Sequence, residues 1–158
     1  IAHLDFKQAN VHSYEEAFGV MSRLALPAQD FEQQYRRMVF NVVARNQDDH
    51  TKNISFIMDR GGRFRLSPAY DVTHAYAPDG DWTARHQMSV NGKRADFRLE
   101  DFIATGKVAK LPRGRAQVIV REAVDVVSRW PVYAERANVP ELLADAITGD
   151  LRLTFHRD

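Results

Sequence analysis

Two short apolar runs, at 54–58 and 64–66, are joined by Asp59-Arg60-Gly61-Gly62. No other feature restricts the fold as much. A Gly-Gly turn between such runs predicts a β-hairpin, and a hairpin returns its two ends side by side. Polar, metal-capable side chains crowd those ends: Asp48, Asp49, His50 and Asn53 on one side, Asp71 on the other. The hairpin is therefore expected to bring Asn53 and Asp71 within reach of one ion.

The rest of the chain reads as helix around that insertion. Residues 1–11 have no clear period and are expected to be extended. Ser13 with Glu16 three residues on is a capping-box pattern that opens a helix to about Leu24. After Pro27, Asp30 is expected to cap a second helix. There Phe31, Tyr35, Met38, Val39, Val42 and Val43 recur on one face, with Glu32, Gln33, Arg36 and Arg37 on the solvent side. Residues 73–98 are polar and turn-rich, and 87–90 leading into Asn91-Gly92 suggests a second short hairpin. Helices are predicted over 99–104, 112–130 and 140–155, with a turn at 132–137. In the second of these, Ile119, Ala123, Val126, Val127 and Trp130 share a face. The fold class is mainly α with a small β-hairpin, as one domain over residues 1–158.

Composition excludes several classes. The 158 residues suffice for one domain with a real core, and the formal charge of +1 implies no global pull toward nucleic acid or membrane. Cysteine is absent, which removes disulfides, thiolate nucleophiles and Cys-ligated zinc, and suits the cytoplasm. No apolar run approaches the roughly 18–20 residues of a membrane span. Ser13, Ser22 and Ser128 have no His/Asp arrangement around them, so no hydrolase reading arises. The sequence opens at Ile1 rather than Met and is expected to be part of a longer protein.

The polar residues at the hairpin base match one chemistry. In protein kinases a catalytic-loop Asp accepts the substrate hydroxyl proton, an Asn five residues on holds Mg²⁺, and a later Asp holds Mg²⁺ on the ATP phosphates. Asp48 and Asn53 have that spacing, and Asp71 follows after one hairpin. Mg²⁺ takes oxygen ligands, which Asn and Asp supply at neutral pH. Asp49, four residues from Asn53, is expected to be structural or a solvent carboxylate, so that Asp49→Asn keeps much of any activity. A zinc site from His50, Asp49 and Asp71 is disfavoured, because the other histidines lack ligand spacing. Arg113, Arg115, Arg121 and Arg129 are expected to be solvated surface rather than a DNA-phosphate contact.

With these residues in view, the sequence resembles the HipA family of bacterial toxin kinases. The likeness is carried by Phe40-Asn-Val-Val-Ala-Arg-Asn-Gln-Asp-Asp-His-Thr-Lys-Asn-Ile-Ser-Phe and by Arg65-Leu-Ser-Pro-Ala-Tyr-Asp-Val72. His86-Gln-Met-Ser-Val-Asn-Gly-Lys93 and Glu100-Asp-Phe102 extend it. The resemblance implies the helical C-terminal lobe of a protein-kinase-like fold. It places the catalytic base at Asp48, nucleotide contacts at His50, Thr51, Lys52 and Asn53, and nucleotide and Mg²⁺ contacts at Tyr70 and Asp71. ATP and Mg²⁺ are the implied cofactors. The implied partners are a protein substrate in the translation machinery and a helix-turn-helix antitoxin, with DNA reached only through the antitoxin. The glycine-rich loop, phosphate-gripping lysine and adenine hinge precede this region in the family and have no counterpart here. The chain alone is thus expected to lack half the ATP cleft and to be inactive. Two alternatives remain: a non-catalytic module docking a DNA-bound antitoxin, and a small-molecule hydroxyl kinase with the same Asp-x₄-Asn…Asp logic.

Overall fold

The computed structural model describes residues 11–155, so the expectation for 1–10 lies outside the described residues. The first helix, α1 (Tyr14–Arg23), starts where its sequence dictates. The Ser13 hydroxyl accepts from the Glu16 amide at 3.1 Å, and the Glu16 carboxylate accepts from the Ser13 amide at 2.9 Å. The helix buries Tyr14, Phe18 and Met21.

The central element is α2 (Ala28–Val43), whose expected apolar face is buried throughout. It begins after Pro27, and Asp30 does not cap it. Buried Asp30 instead reaches the hairpin, accepting from Arg65 through both oxygens at 2.9 Å and from the Leu66 amide at 2.8 Å. Nor is the opposite face left to solvent. Glu32 and Arg36 form a charge network with Arg115 and Glu122 across to α4 (Arg115–Val127), with contacts of 2.6 Å. Arg37 donates to the Ser67 carbonyl at 2.7 Å. Arg115 is therefore a structural residue rather than solvated surface.

Between α2 and α3 (Leu99–Val108) lies the hairpin of β1 (Phe56–Met58) and β2 (Phe64–Leu66), paired Phe56 to Leu66 and Met58 to Phe64. Asp59 nucleates its turn by accepting from the amides of Gly61 and Arg63, and Gly62 takes a positive φ of 80°. The second expected hairpin shrinks to one bridge, Val90 with Lys93, closed by Asn91 and Gly92 at φ 50° and 77°. Its strand is diverted. Ser89 pairs with Ser13 in parallel, which lays 86–90 beside α1.

Helices α3 and α4 pack closely because Gly106 has no side chain; a Cβ there would stand 2.9 Å from that of Ala116. The helix expected at 112–130 ends at Val127. A separate α5 (Trp130–Arg136), with Pro131 in its first turn, replaces the expected turn. Trp130 is half-buried and donates to the Ala144 carbonyl of α6 (Glu141–Asp150), while Val126 is exposed. The helix expected to reach 155 stops at Asp150, because Leu151 is extended and the Arg152 amide donates to the Val43 carbonyl of α2 at 2.9 Å. Leu151, Leu153 and Phe155 then pack on the core at alternate positions. The fold is mainly α with a small antiparallel hairpin. No helix is long and apolar enough to cross a membrane among the described residues.

Candidate active site

The site begins where α2 ends. Arg45 takes a left-handed φ of 57°, and the next residue, Asn46, bridges in parallel to Ala75. The Gln47 amide donates to the Ala75 carbonyl at 3.0 Å, and the Ala75 amide to the Arg45 carbonyl at 3.1 Å. The start of the loop is thus pinned to chain just past Asp71. From there the chain runs without helix or strand to His50, and Asp48 and Asp49 meet different surroundings: the Asp48 side chain is 48% exposed and that of Asp49 is fully buried.

Asp49 is a structural residue and not a solvent carboxylate. It accepts three hydrogen bonds at 2.8 Å, from the Tyr14 hydroxyl, His86 Nδ1 and the Gln87 amide. Burial, and next the charge of Asp49, push the Tyr14 phenol well above its ordinary pKa, so it stays a donor. His86 Nε2 faces Arg152 Nη1 at 2.9 Å. A guanidinium only donates, so Nε2 accepts and the His86 proton sits on Nδ1, aimed at Asp49. Arg152 also donates to the Val42 carbonyl at 3.1 Å and to Gln47 Oε1 at 2.6 Å. Burial, with Arg45 nearby, lowers its pKa to about 10, still charged at neutral pH. This removes Asp49→Asn as a neutral control, because an amide there would set an N–H against buried donors.

Asp48 stands on the open side with His50 Nε2 4.0 Å from its Oδ1. Asn53 Nδ2 donates to the Asp48 carbonyl at 3.0 Å. That bond closes the loop across the turn of 3-10 helix Thr51–Asn53 and fixes the amide, leaving Asn53 Oδ1 as the free acceptor face. The Thr51 hydroxyl is shielded and has no hydrogen-bond partner among the described residues. Lys52 is exposed, and its carbonyl accepts from the Tyr70 hydroxyl at 2.6 Å. Tyr70 therefore ties the far side of the hairpin to the loop.

Asp71 follows at a left-handed φ of 54°. That conformation is uncommon for a residue with a side chain, although Asp adopts it more readily than most and six other described non-glycine residues share it. Its carbonyl accepts from Asn46 Nδ2 at 3.3 Å, and its carboxylate is exposed without an ion pair or hydrogen bond among the described residues. The structure thus gathers Asp48, His50, Thr51, Lys52 and Asn53 on one loop and ties Tyr70 and Asp71 to it.

The donor chemistry fits a hard divalent cation. Asn53 Oδ1 and the Asp71 carboxylate are oxygen donors of the kind Mg²⁺ takes and have no hydrogen-bond partner among the described residues, although no three acidic or histidine side chains are gathered around an ion position there. A zinc set of Asp49, His50 and Asp71 does not fit, because Asp49 is committed to Tyr14, His86 and Gln87. The profile of the HipA-like C-terminal domain family matches residues 1–130. The chain belongs to that family. A comparison with curated proteins returned no match. In this HipA-like domain the matched region contains the whole candidate site, whereas Arg152 lies beyond it.

Sequence reasoning missed Tyr14, Asp30 and Arg152 as supports of the site. Arg152 acts on Gln47 from 105 residues away and Tyr14 on Asp49 from 35, so no local spacing signals them. The one available signal was the Asp-Asp doublet itself, two adjacent carboxylates of which one is buried and one half-exposed.

Proposed function

We propose that this HipA-like domain is the catalytic lobe of a serine/threonine protein kinase that uses ATP and Mg²⁺. Asp48 accepts the proton of the attacking hydroxyl as its oxygen bonds to the γ-phosphorus and the bond to the bridging oxygen of departing ADP breaks. Asn53 and Asp71 would hold Mg²⁺, which neutralises phosphate charge when bound. His50, Thr51 and Lys52 present an imidazole, an unspent hydroxyl and an ammonium beside the position of the phosphates. Tyr70 holds the Asp71 segment against the loop. The reading brings with it a protein acceptor in the translation machinery, a DNA-bound helix-turn-helix antitoxin and a cytoplasmic setting.

The observation that carries it is the Asn53 amide bonded to the Asp48 carbonyl at 3.0 Å. That bond ties the Asn53 side chain to the backbone of the residue that carries the base, and phosphoryl transfer depends mostly on such positioning. The test is phosphotransfer by the full-length protein. Asp48→Asn lowers kcat by about 10²–10⁴-fold, the range for removing a general base, with Mg²⁺–ATP affinity retained. Asp71→Asn removes the Mg²⁺-dependent part of ATP binding in a calorimetric titration. Unchanged binding in Asp71→Asn would overturn the metal assignment.

A further inference from the structure

The 150–152 segment touches both halves of the site although it lies beyond the matched region. On the loop side, Arg152 bonds Gln47 Oε1 immediately before Asp48, and contacts His86, which holds Asp49 immediately after it. The Arg152 amide and side chain also bond the last carbonyls of α2, at Val43 and Val42. On the other side, the Asp150 carboxylate stands 3.2 Å from His74, three residues past Asp71. The Asp150 carbonyl accepts from Arg45 at 2.7 Å, and the Arg45 guanidinium lies 4.1 Å from the centre of the Tyr76 ring. Under the segment is a cavity of about 200 Å³ lined by Phe40, Val72, His74, Trp130, Tyr133 and Leu151. The 72–74 stretch is therefore not packed solid from behind, and Asp150 flanks it there as a carboxylate beside His74 rather than through a hydrogen bond, the His74 Nε2 having no such partner among the described residues.

From this geometry we infer that 150–152 is a strap that sets the separation of the Asp48 loop and the Asp71 segment, with Arg152 as its principal positioning residue. Arg152 works through two intermediates. Gln47 fixes the backbone before the base, and neutral His86, held between the guanidinium and Asp49, fixes the backbone after it. Phe97 closes the pocket, 5.3 Å from the His86 ring centre and 5.5 Å from the guanidinium. A neutral imidazole is needed in this arrangement, because a second proton on Nε2 would point at the guanidinium. The consequence for catalysis rests on the kinase reading above; the strap itself does not.

The experiment compares the full-length protein with Arg152→Met and Asp150→Ala. Three readouts are used: ¹⁵N NMR of the His86 ring, amide hydrogen exchange, and phosphotransfer kinetics. In the parent protein His86 shows a protonated Nδ1 and a bare Nε2. Arg152→Met changes the Nε2 signal, speeds exchange of the amides at 46–53 by about tenfold or more, and lowers kcat by about 10–100-fold, with the larger loss in kcat than in KM. Asp150→Ala, at a part-exposed position, speeds exchange of the Ala75 amide, which is bonded to the Arg45 carbonyl, and spares 46–53. A Met variant that folds with unchanged loop exchange and an unchanged ring signal overturns the proposal. If the Met variant does not fold, unchanged exchange of the Ala75 amide in Asp150→Ala overturns it. If the parent transfers no phosphate, the kinase reading fails, and the ring and exchange measurements still decide the strap.

Discussion

The 46–53 loop and the 68–73 segment meet at the same place but are held by opposite means. Behind the loop lie buried groups: Asn46, Gln47, Asp49, His86 and Tyr14 are all shielded and bonded to one another or to their neighbours. The segment from Pro68 to Thr73 is exposed along its whole length. It hangs on the Ser67 anchor, the Tyr70 hydroxyl and one amide bond to the Asp71 carbonyl. Buried hydrogen bonds are strengthened by low dielectric and resist exchange, whereas exposed ones open readily. One arm of the site is thus fixed and the other pliant. On the proposed reading, the base is built on the fixed arm and one metal carboxylate on the more pliant arm.

Removing the fixed arm's anchor tests that contrast most severely. Asp49→Ala strands three buried donors and the nearby Arg152 charge, and should destabilise the domain by about 3–5 kcal/mol in urea titration. An effect within 1 kcal/mol, an order-of-magnitude bound for an exposed site, would mean that the two arms are equally loose.

The next test concerns the link between α2 and the pliant arm. Asp30→Ala leaves the Leu66 amide uncapped and should cost about 1–2 kcal/mol, a range already discounted for the exposed Arg65 partner. The hydrogen bonds from Arg65 hold the Asp30 carboxyl below its ordinary pKa. A lowered folded-state pKa means the contribution is complete above the ordinary carboxylate value, near 3.9, and disappears as pH falls through the depressed one. Stability measured below about pH 4 should therefore fall less steeply in Asp30→Asn than in the parent.

Smaller effects sharpen the pliant side. Asp71→Gly relieves the left-handed backbone and should raise stability by about 0.5–1 kcal/mol, while abolishing Mg²⁺-dependent nucleotide binding. A loss of stability would show that the Asp71 carboxylate serves the fold. Tyr70→Phe removes one part-exposed hydrogen bond to the Lys52 carbonyl and should cost about 0.5–1 kcal/mol. Its main effect should be faster exchange of the bonded amide at Asn53, beside the lost contact, with 46–50 unchanged.

Much of the fold was legible because local rules decide it. The Ser13 cap, the buried face of α2 and the Gly62 turn each follow from residues within one or two turns of one another. The ends of elements were less legible. Asp30 looked like a cap but is drawn to Arg65, and the residues after Asp150 looked helical but are drawn to the open carbonyl of Val43. In both cases a distant partner outbid the local preference. The candidate site divides the same way. Asp48, Asn53 and Asp71 stand in a readable spacing, and the hairpin returns the Asp71 segment to the 46–53 loop. What holds them, from Tyr14 to Arg152, comes from contacts whose partners are tens of residues apart, and no periodicity encodes those.

The long reach of Arg152 has a consequence for the making of the protein. Gln47 and Arg152 are separated by 105 residues. At synthesis rates of about 5–20 residues per second, roughly 5–20 s pass between the appearance of the two on the ribosome. Through that interval the Asp48 loop lacks the bonds from Arg152, and for most of it α2 also lacks α4, to which Glu32 and Arg36 are paired. The supports of the loop thus become available in order of synthesis, with those from 150–152 the last among the described residues.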